Sequence, residues 1–310
     1  TNGYSQISEI TEVWLQNMFV IAMGVKSALF GLHFWLPMVY KKASPTFCAI
    51  SSGWVAKLGF ITYLKLIKDG NQLLLYLGLL MVFYGVVRAL RENNFKVILA
   101  YSSISQLGFI ALAIGSGNKY GYIGAIIHII AHGLAKTNLF NGAGNLIREY
   151  GSVLIQDFKQ CQKRQFFNSI VTFFSLLSLV GVPLLAGYNS KHLIKYSLNH
   201  HPFFIIVLHI ASIITVLYSL RILWLTSFKN GKLDIRSMKE VNNCKSNYNL
   251  NIFEKIALLL PIISLIVFSL FTNEILSTSV DFDFLSGALF SFVYIFIGFR
   301  LYFANFMREH

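Results

Sequence analysis

The sequence predicts an all-α integral membrane protein of about nine transmembrane helices, two of them broken. Three observations carry this. First, 55% of the 310 residues are hydrophobic and only 13% are charged, with a mean hydropathy of +0.60, whereas a soluble domain of this size carries more charge. Second, apolar runs reach or exceed ~18 residues, which is spanning length. Third, the cations between these runs alternate.

The candidate spans are 11–35, 47–67, 73–90, 96–115, 120–146, 166–197, 202–227, 253–273 and 284–304. The longest polar gap, 228–252, has no hydrophobic period and reads as a loop. Lys41 and Lys42 follow span one, and Arg91 and Lys96 follow span three. Arg148, Lys159, Lys163 and Arg164 follow span five, and five cations from Lys229 to Lys245 follow span seven. The intervening connections hold Lys65, Lys68 and Lys119, then only Glu274, Asp281 and Asp283. Lys and Arg concentrate on the cytoplasmic side. This puts Thr1 outside and His310 inside, and a missed helix would scramble the pattern.

The formal net charge of +13 fits that bias and needs no nucleic acid. Cys48, Cys161 and Cys244 follow no metal or disulfide pattern and read as free thiols. There is no phosphate-binding glycine loop, no iron–sulfur cysteine cluster and no dinucleotide fingerprint, so no cofactor is expected. No signal peptide pattern precedes the first apolar run, and the start at Thr1 reads as a cut edge.

Two spans are interrupted. In span one, Gly31 and Pro37 bracket FGLHFWLP. In span six, Gly181, Pro183 and Gly187 fall within LVGVPLLAGYNSK. Proline removes a backbone donor and glycine is permissive. Irregular backbone at membrane depth survives only inside protein or beside a watery cavity. A kink that aids packing is one reading of each break, and a functional site is the other. Each break lies within eleven residues of a lysine, Lys26 or Lys191, which favours function.

Ionisable groups inside the spans are Lys26, Lys57, His128, His132, Lys136 and Lys191. A charged lysine at a helix centre costs about 2.5–3.5 kcal/mol on insertion scales. Such residues usually face the bundle interior and mark ion or proton paths. Snorkelling near a span end is the alternative for Lys26 and Lys191. His128, His132 and Lys136 are spaced i, i+4, i+8, which keeps all three on one helix face. Two histidines one turn apart also suit zinc, but no third ligand is nearby. Burial disfavours the charged form of such groups. Joined by water and by Ser102, Ser103, Ser105 or Gln106, they would form a proton wire.

The stretches KSALFGLHFWLP (26–37), AISSGWVAKLG (49–59), ILAYSSISQLGFIALAIG (98–115), IIHIIAHGLAKTNLFNGAG (126–144) and SLVGVPLLAGYNSK (178–191) resemble, in order, the antiporter-like membrane subunits shared by respiratory complex I and Mrp-type cation/proton antiporters. The resemblance implies a pair of inverted five-helix repeats, each with a broken helix, of which this chain holds the C-terminal part. Residues 1–72 would end the first repeat, 73–227 would form the second, 228–252 a cytoplasmic loop and 253–310 two further helices. It also implies that Lys26 and Lys191 match the lysines of the two broken helices. Lys57 matches the lysine of the helix after the first break, and His132 and Lys136 match the central pair. The family usually has proline at the position of Gly31, aspartate at that of Met38, and a second proline at Leu184. Helices preceding this chain would carry the glutamate that pairs with Lys26. A fragment, a split gene product and a decayed remnant all fit that departure.

SGWVAKLG (52–59) looks most like the D-type antiporter subunit or its complex I counterparts, and the D-type assignment is favoured. The resemblance therefore implies a proton-translocating subunit of a monovalent cation/proton antiporter in a bacterial inner membrane. Its partners would be other membrane subunits, the lipid bilayer, H+ and Na+. A membrane-arm subunit of NADH:quinone oxidoreductase is the alternative, and a truncated protein that transports nothing is a third reading of another class.

Overall fold

The structure, a computed structural model, describes residues 12–67, 69–160, 166–228 and 250–279, with residues 293 and 297 besides. The described residues are helical, and the one β feature among them is an isolated antiparallel bridge between Asn94 and Leu154. Span nine lies outside the described residues apart from those two positions, as do most of loop 228–252 and the thiols Cys161 and Cys244.

Eleven α-helices follow one another: α1 (Val13–Lys26), α2 (Trp35–Lys42), α3 (Pro45–Gly53), α4 (Leu58–Leu66), α5 (Gln72–Arg91), α6 (Phe95–Gly115), α7 (Lys119–Tyr150), α8 (Phe166–Val180), α9 (Ala186–Ser197), α10 (Pro202–Leu223) and α11 (Ile252–Ser279). Six stretches are long and apolar enough to cross a membrane: Pro45–Leu66, Gln72–Arg91, Phe95–Gly115, Lys119–Tyr150, Pro202–Thr226 and Ile252–Thr272. Two shorter apolar helices, Val13–Lys26 and Phe167–Val180, are the first halves of the two interrupted spans. The chain is a multi-pass membrane protein.

Local chemistry sets the helix ends. The Ser44 hydroxyl accepts from the N–H of Phe47 at 3.3 Å, with Pro45 in the first turn. Asn71, Asn94 and Asn118 cap α5, α6 and α7 by accepting from Leu74, Val97 and Gly121 at 2.9, 3.2 and 2.9 Å. Such side chains satisfy amides that a helix start leaves open. Gly151, at φ 68°, closes α7 in the left-handed conformation that glycine adopts freely.

Packing is tight where glycines meet backbone. A Cβ on Gly78 would lie 2.8 Å from the Leu112 nitrogen, and one on Gly108 would lie 2.7 Å from the Gly78 oxygen. This close approach of α5 to α6 is the small-residue packing that membrane helices use in place of a hydrophobic drive. Helix α6 is buried along its whole length. The long α7 packs against α3, α6, α8, α9 and α11, so the central polar residues of the chain lie on the two innermost helices.

The sequence expects spans one (11–35) and six (166–197) to be interrupted, and both are split. Span one parts between Lys26 and Trp35, and span six between Val180 and Ala186. Span two also departs from a regular helix: α3 ends at Gly53, and a 3-10 turn over Val55–Lys57 precedes α4.

Candidate proton-path site

At the first break, Ala28 and Gly31 adopt φ 51° and 89°. The interruption ends at α2, where Pro37 falls in the first turn and its missing N–H leaves no intrahelical bond unmade. At the second break Gly181 and Leu184 adopt φ 88° and 75°. Gly187 follows in the first turn of α9, where a Cβ would stand 1.8 Å from the Ser178 oxygen, so only glycine fits.

Lysines take up carbonyls that these irregularities release. Lys191, 4% exposed, donates from Nζ to the Leu179 oxygen and, at 3.4 Å, to the Val180 oxygen. Its ammonium also lies 5.1 Å from the Phe109 ring centre, in cation–π range. Lys57 is fully buried and donates to the Ser52 oxygen and, at 2.6 Å, to the Gly53 oxygen. It therefore caps the C-terminal end of α3, where the helix dipole favours a cation. Lys136, also fully buried, donates to the Leu99 oxygen at 2.9 Å and to the Ser102 hydroxyl.

Histidines and serines lie between the lysines. The His128 and His132 rings are parallel, with centres 6.0 Å apart and 3° between planes. His128 Nδ1 is 2.9 Å from the Ser190 hydroxyl, next in sequence to Lys191. The Ser52 and Ser103 hydroxyls are 2.7 Å apart, joining the end of α3 to α6. Both ring nitrogens of His132, the Gln106 amide and the Ser105 hydroxyl are buried without a hydrogen-bond partner among the described residues. Buried polar atoms nearly always find a partner, water included. This centre can therefore hold bridging water between titratable groups. Among the described residues the one ion pair is Arg148 with Glu254 at 2.9 Å, so Lys57, Lys136 and Lys191 have carbonyls and a hydroxyl as partners, not carboxylates.

Five of the six ionisable residues expected from sequence thus lie buried around α6, α7 and the second break. Lys26 does not. It ends α1 and is exposed, because α1 turns Gln16, Val20 and Gly24 inward and Lys26 is off that line.

Two further residues escape the sequence reading. His33, 2% exposed, sits in the first break, its ring centre 5.4 Å from that of Phe30 and 4.4 Å from that of Phe34. Its Nδ1 accepts from Gly31 at 3.2 Å. The signal was a histidine inside an interrupted span. Lys195, one turn beyond Lys191, interacts with it electrostatically. The i, i+4 spacing of the two lysines was visible.

Residues 3–215 match the family described as "NADH:quinone oxidoreductase/Mrp antiporter, TM". The chain belongs to this family. It is 26% identical over 288 residues to NADH-quinone oxidoreductase subunit N of Desulforudis audaxviator, covering 87% of this chain and 57% of that one. It is 33% identical over 198 residues to the antiporter subunit mnhA2 of Staphylococcus aureus, covering 57% of this chain and 24% of that one. In the solved Mrp complex from Dietzia sp., one chain shares this fold with a TM-score of 0.76 at 23% identity, covering 94% of this chain and 34% of that one. The chain thus spans little more than half the length of subunit N, and less of the other two.

Proposed function

We propose that the chain is a proton-translocating membrane subunit of a multisubunit monovalent cation/proton antiporter of the Mrp type, D-like, in a bacterial inner membrane. The observation that carries this reading is the buried group of Lys57, His128, His132, Lys136 and Lys191. It runs from the end of α3 to the second helix break, with serine hydroxyls at two of its contacts. Protons would pass along this row, and like charges on neighbouring lysines would oppose each other, so loading one site favours emptying the next. Lys26 would extend the row at its exposed end, on a face completed by other subunits or by further helices. The cation bias of the connections supports a cytoplasmic 151–165 side.

A second reading is a membrane-arm subunit of NADH:quinone oxidoreductase, favoured by the similarity to subunit N over 87% of the chain. The row would work the same way, with quinone chemistry in other subunits as its drive. Purifying the native assembly separates the two. Sodium-driven proton movement in vesicles without NADH supports the antiporter, whereas flavin and iron–sulfur subunits in the preparation support the redox enzyme. Lys57→Ala and Lys191→Ala should each abolish proton movement in the assembled complex. Full activity in both variants would end the proposal.

A further inference from the structure

Helix α7 has a second polar face that the lysine–histidine row does not use. Asn138 is two residues past Lys136, about 200° around the helix, so it points away from the Lys136 partners on α6. Asn138, Gly142 and Glu149 share this other face at i, i+4 and i+11. The face meets α8. Asn168 Nδ2 donates to the Gly142 oxygen at 3.1 Å, and a Cβ on Gly142 would lie 3.1 Å from Asn168 Oδ1 and 3.3 Å from Thr172 Oγ1. On α8, Asn168, Thr172, Ser175 and Ser178 recur at helical spacing. All six polar residues are at most 5% exposed.

This seam is under-bonded. Both amide atoms of Asn138, Oε2 of Glu149, Oδ1 of Asn168 and the Ser175 hydroxyl are buried without a hydrogen-bond partner among the described residues. Each such atom costs about 1–3 kcal/mol if left so. Polar side chains that glue membrane helices together pair with each other, whereas here Asn168 bonds to the Gly142 backbone oxygen. The orphan atoms include donors and acceptors and stretch from residue 138 to 149, roughly 16 Å of helix. A single cation needs oxygens converging on one point, whereas a line of mixed donors and acceptors suits a file of water.

Both ends of the seam lead somewhere. Glu149 neighbours Arg148, whose ion pair with Glu254 is 56% and 29% exposed and marks the aqueous end of α7. At the other end, Ser178 abuts Gly187, and its oxygen accepts from the Gly181 N–H at 3.2 Å. The next two carbonyls, Leu179 and Val180, hold Lys191.

We propose that the α7–α8 seam is a hydrated passage delivering protons to Lys191 from the aqueous side at Glu149. Each water in the file gives up one proton as it accepts another, so the net change is one proton moved from the aqueous phase to the Lys191 amine. The delivery to Lys191 rests on the proton-row reading above, and the hydration of the seam does not.

The test uses the complete assembly with Cys48, Cys161 and Cys244 replaced by alanine. Ser175→Cys is compared with Leu176→Cys, both positions being fully buried. A small charged methanethiosulfonate, applied from the Glu149 side, should modify the Ser175→Cys variant about tenfold faster or more, because a charged reagent is strongly excluded from dry protein. Equal slow rates overturn the passage. A Thr172→Val/Ser175→Ala double variant, nearly isosteric, should lower proton transport by about tenfold, equivalent to 1.4 kcal/mol, with assembly unchanged. Ser175→Ala alone serves if the double variant does not assemble. Full transport in these variants, while Lys191→Ala is inactive, overturns the delivery role. Full transport in Lys191→Ala would instead defeat the row itself, and the labelling rates would still decide the seam.

Discussion

Replacing Lys136 by methionine separates transport from structure at the centre of the bundle. The substitution removes the bonds to the Leu99 oxygen and the Ser102 hydroxyl. It orphans no acceptor at Leu99, whose oxygen still receives the Ser102 and Ser103 hydroxyls at 3.1 and 2.8 Å. Two interhelical bonds in a membrane are worth about 0.6 kcal/mol each, roughly 1.2 kcal/mol together. Against this, a charged lysine at mid-membrane costs about 2.5–3.5 kcal/mol. Methionine fills a similar volume without that charge. The expected net effect is an assembly more stable by about 1–2 kcal/mol that no longer moves protons. Thermal unfolding of the purified complex reads the first quantity, and proton uptake in reconstituted vesicles reads the second. A Lys136→Met assembly that unfolds more easily yet transports at the normal rate would refute the reasoning, because the lysine would then be structural.

Other substitutions should separate the two breaks and the two surface arginines. Gly187→Ala should destabilise the complex by about 1–3 kcal/mol, since its methyl would meet the Ser178 backbone at 1.8 Å. It should also slow transport by displacing the helix that carries Lys191. Gly31→Ala has nothing within 4 Å of the new methyl and should cost only the left-handed strain, about 1–2 kcal/mol. Arg221 holds the Leu90 and Glu92 oxygens at 2.8 Å each, and Asn93 as well. Arg221→Ala should therefore destabilise by about 1–3 kcal/mol. Glu254→Gln, which weakens an exposed ion pair, should change stability by less than about 1 kcal/mol. Unfolding curves of these variants check each value.

The positions of Lys57, His128, His132, Lys136 and Lys191 were legible because a cation inside a 20-residue apolar run has few places to go. The i, i+4, i+8 spacing also gave the shared face of α7. What spacing within one helix cannot give is the neighbour across the interface. The bridge from Ser52 to Ser103 joins residues 51 apart in sequence, and the Asn168 bond to Gly142 joins residues 26 apart. The 3-10 turn at Val55–Lys57 was missed for a related reason. Gly53 reads as a permissive residue within an apolar run, and its actual service is to let α3 approach α7, where Gly53 and Gly133 are in backbone contact. Lys26 is exposed within this chain, because the side of α1 that packs is set by contacts invisible in the run itself.

Backbone carbonyls, in place of carboxylates, as partners of the buried lysines also have an electrical consequence. A lysine paired with an acid forms a neutral unit, and the transmembrane field pulls its two charges in opposite directions. Lys57, Lys136 and Lys191 are held by fixed dipoles that carry no net charge. On the proton-row reading, each proton accepted would leave the site with a net elementary charge in the membrane field, worth about 2.3 kcal/mol per 100 mV across the whole membrane. Occupancy of the row should shift with voltage, and a membrane potential alone should bias its sites before any partner subunit acts.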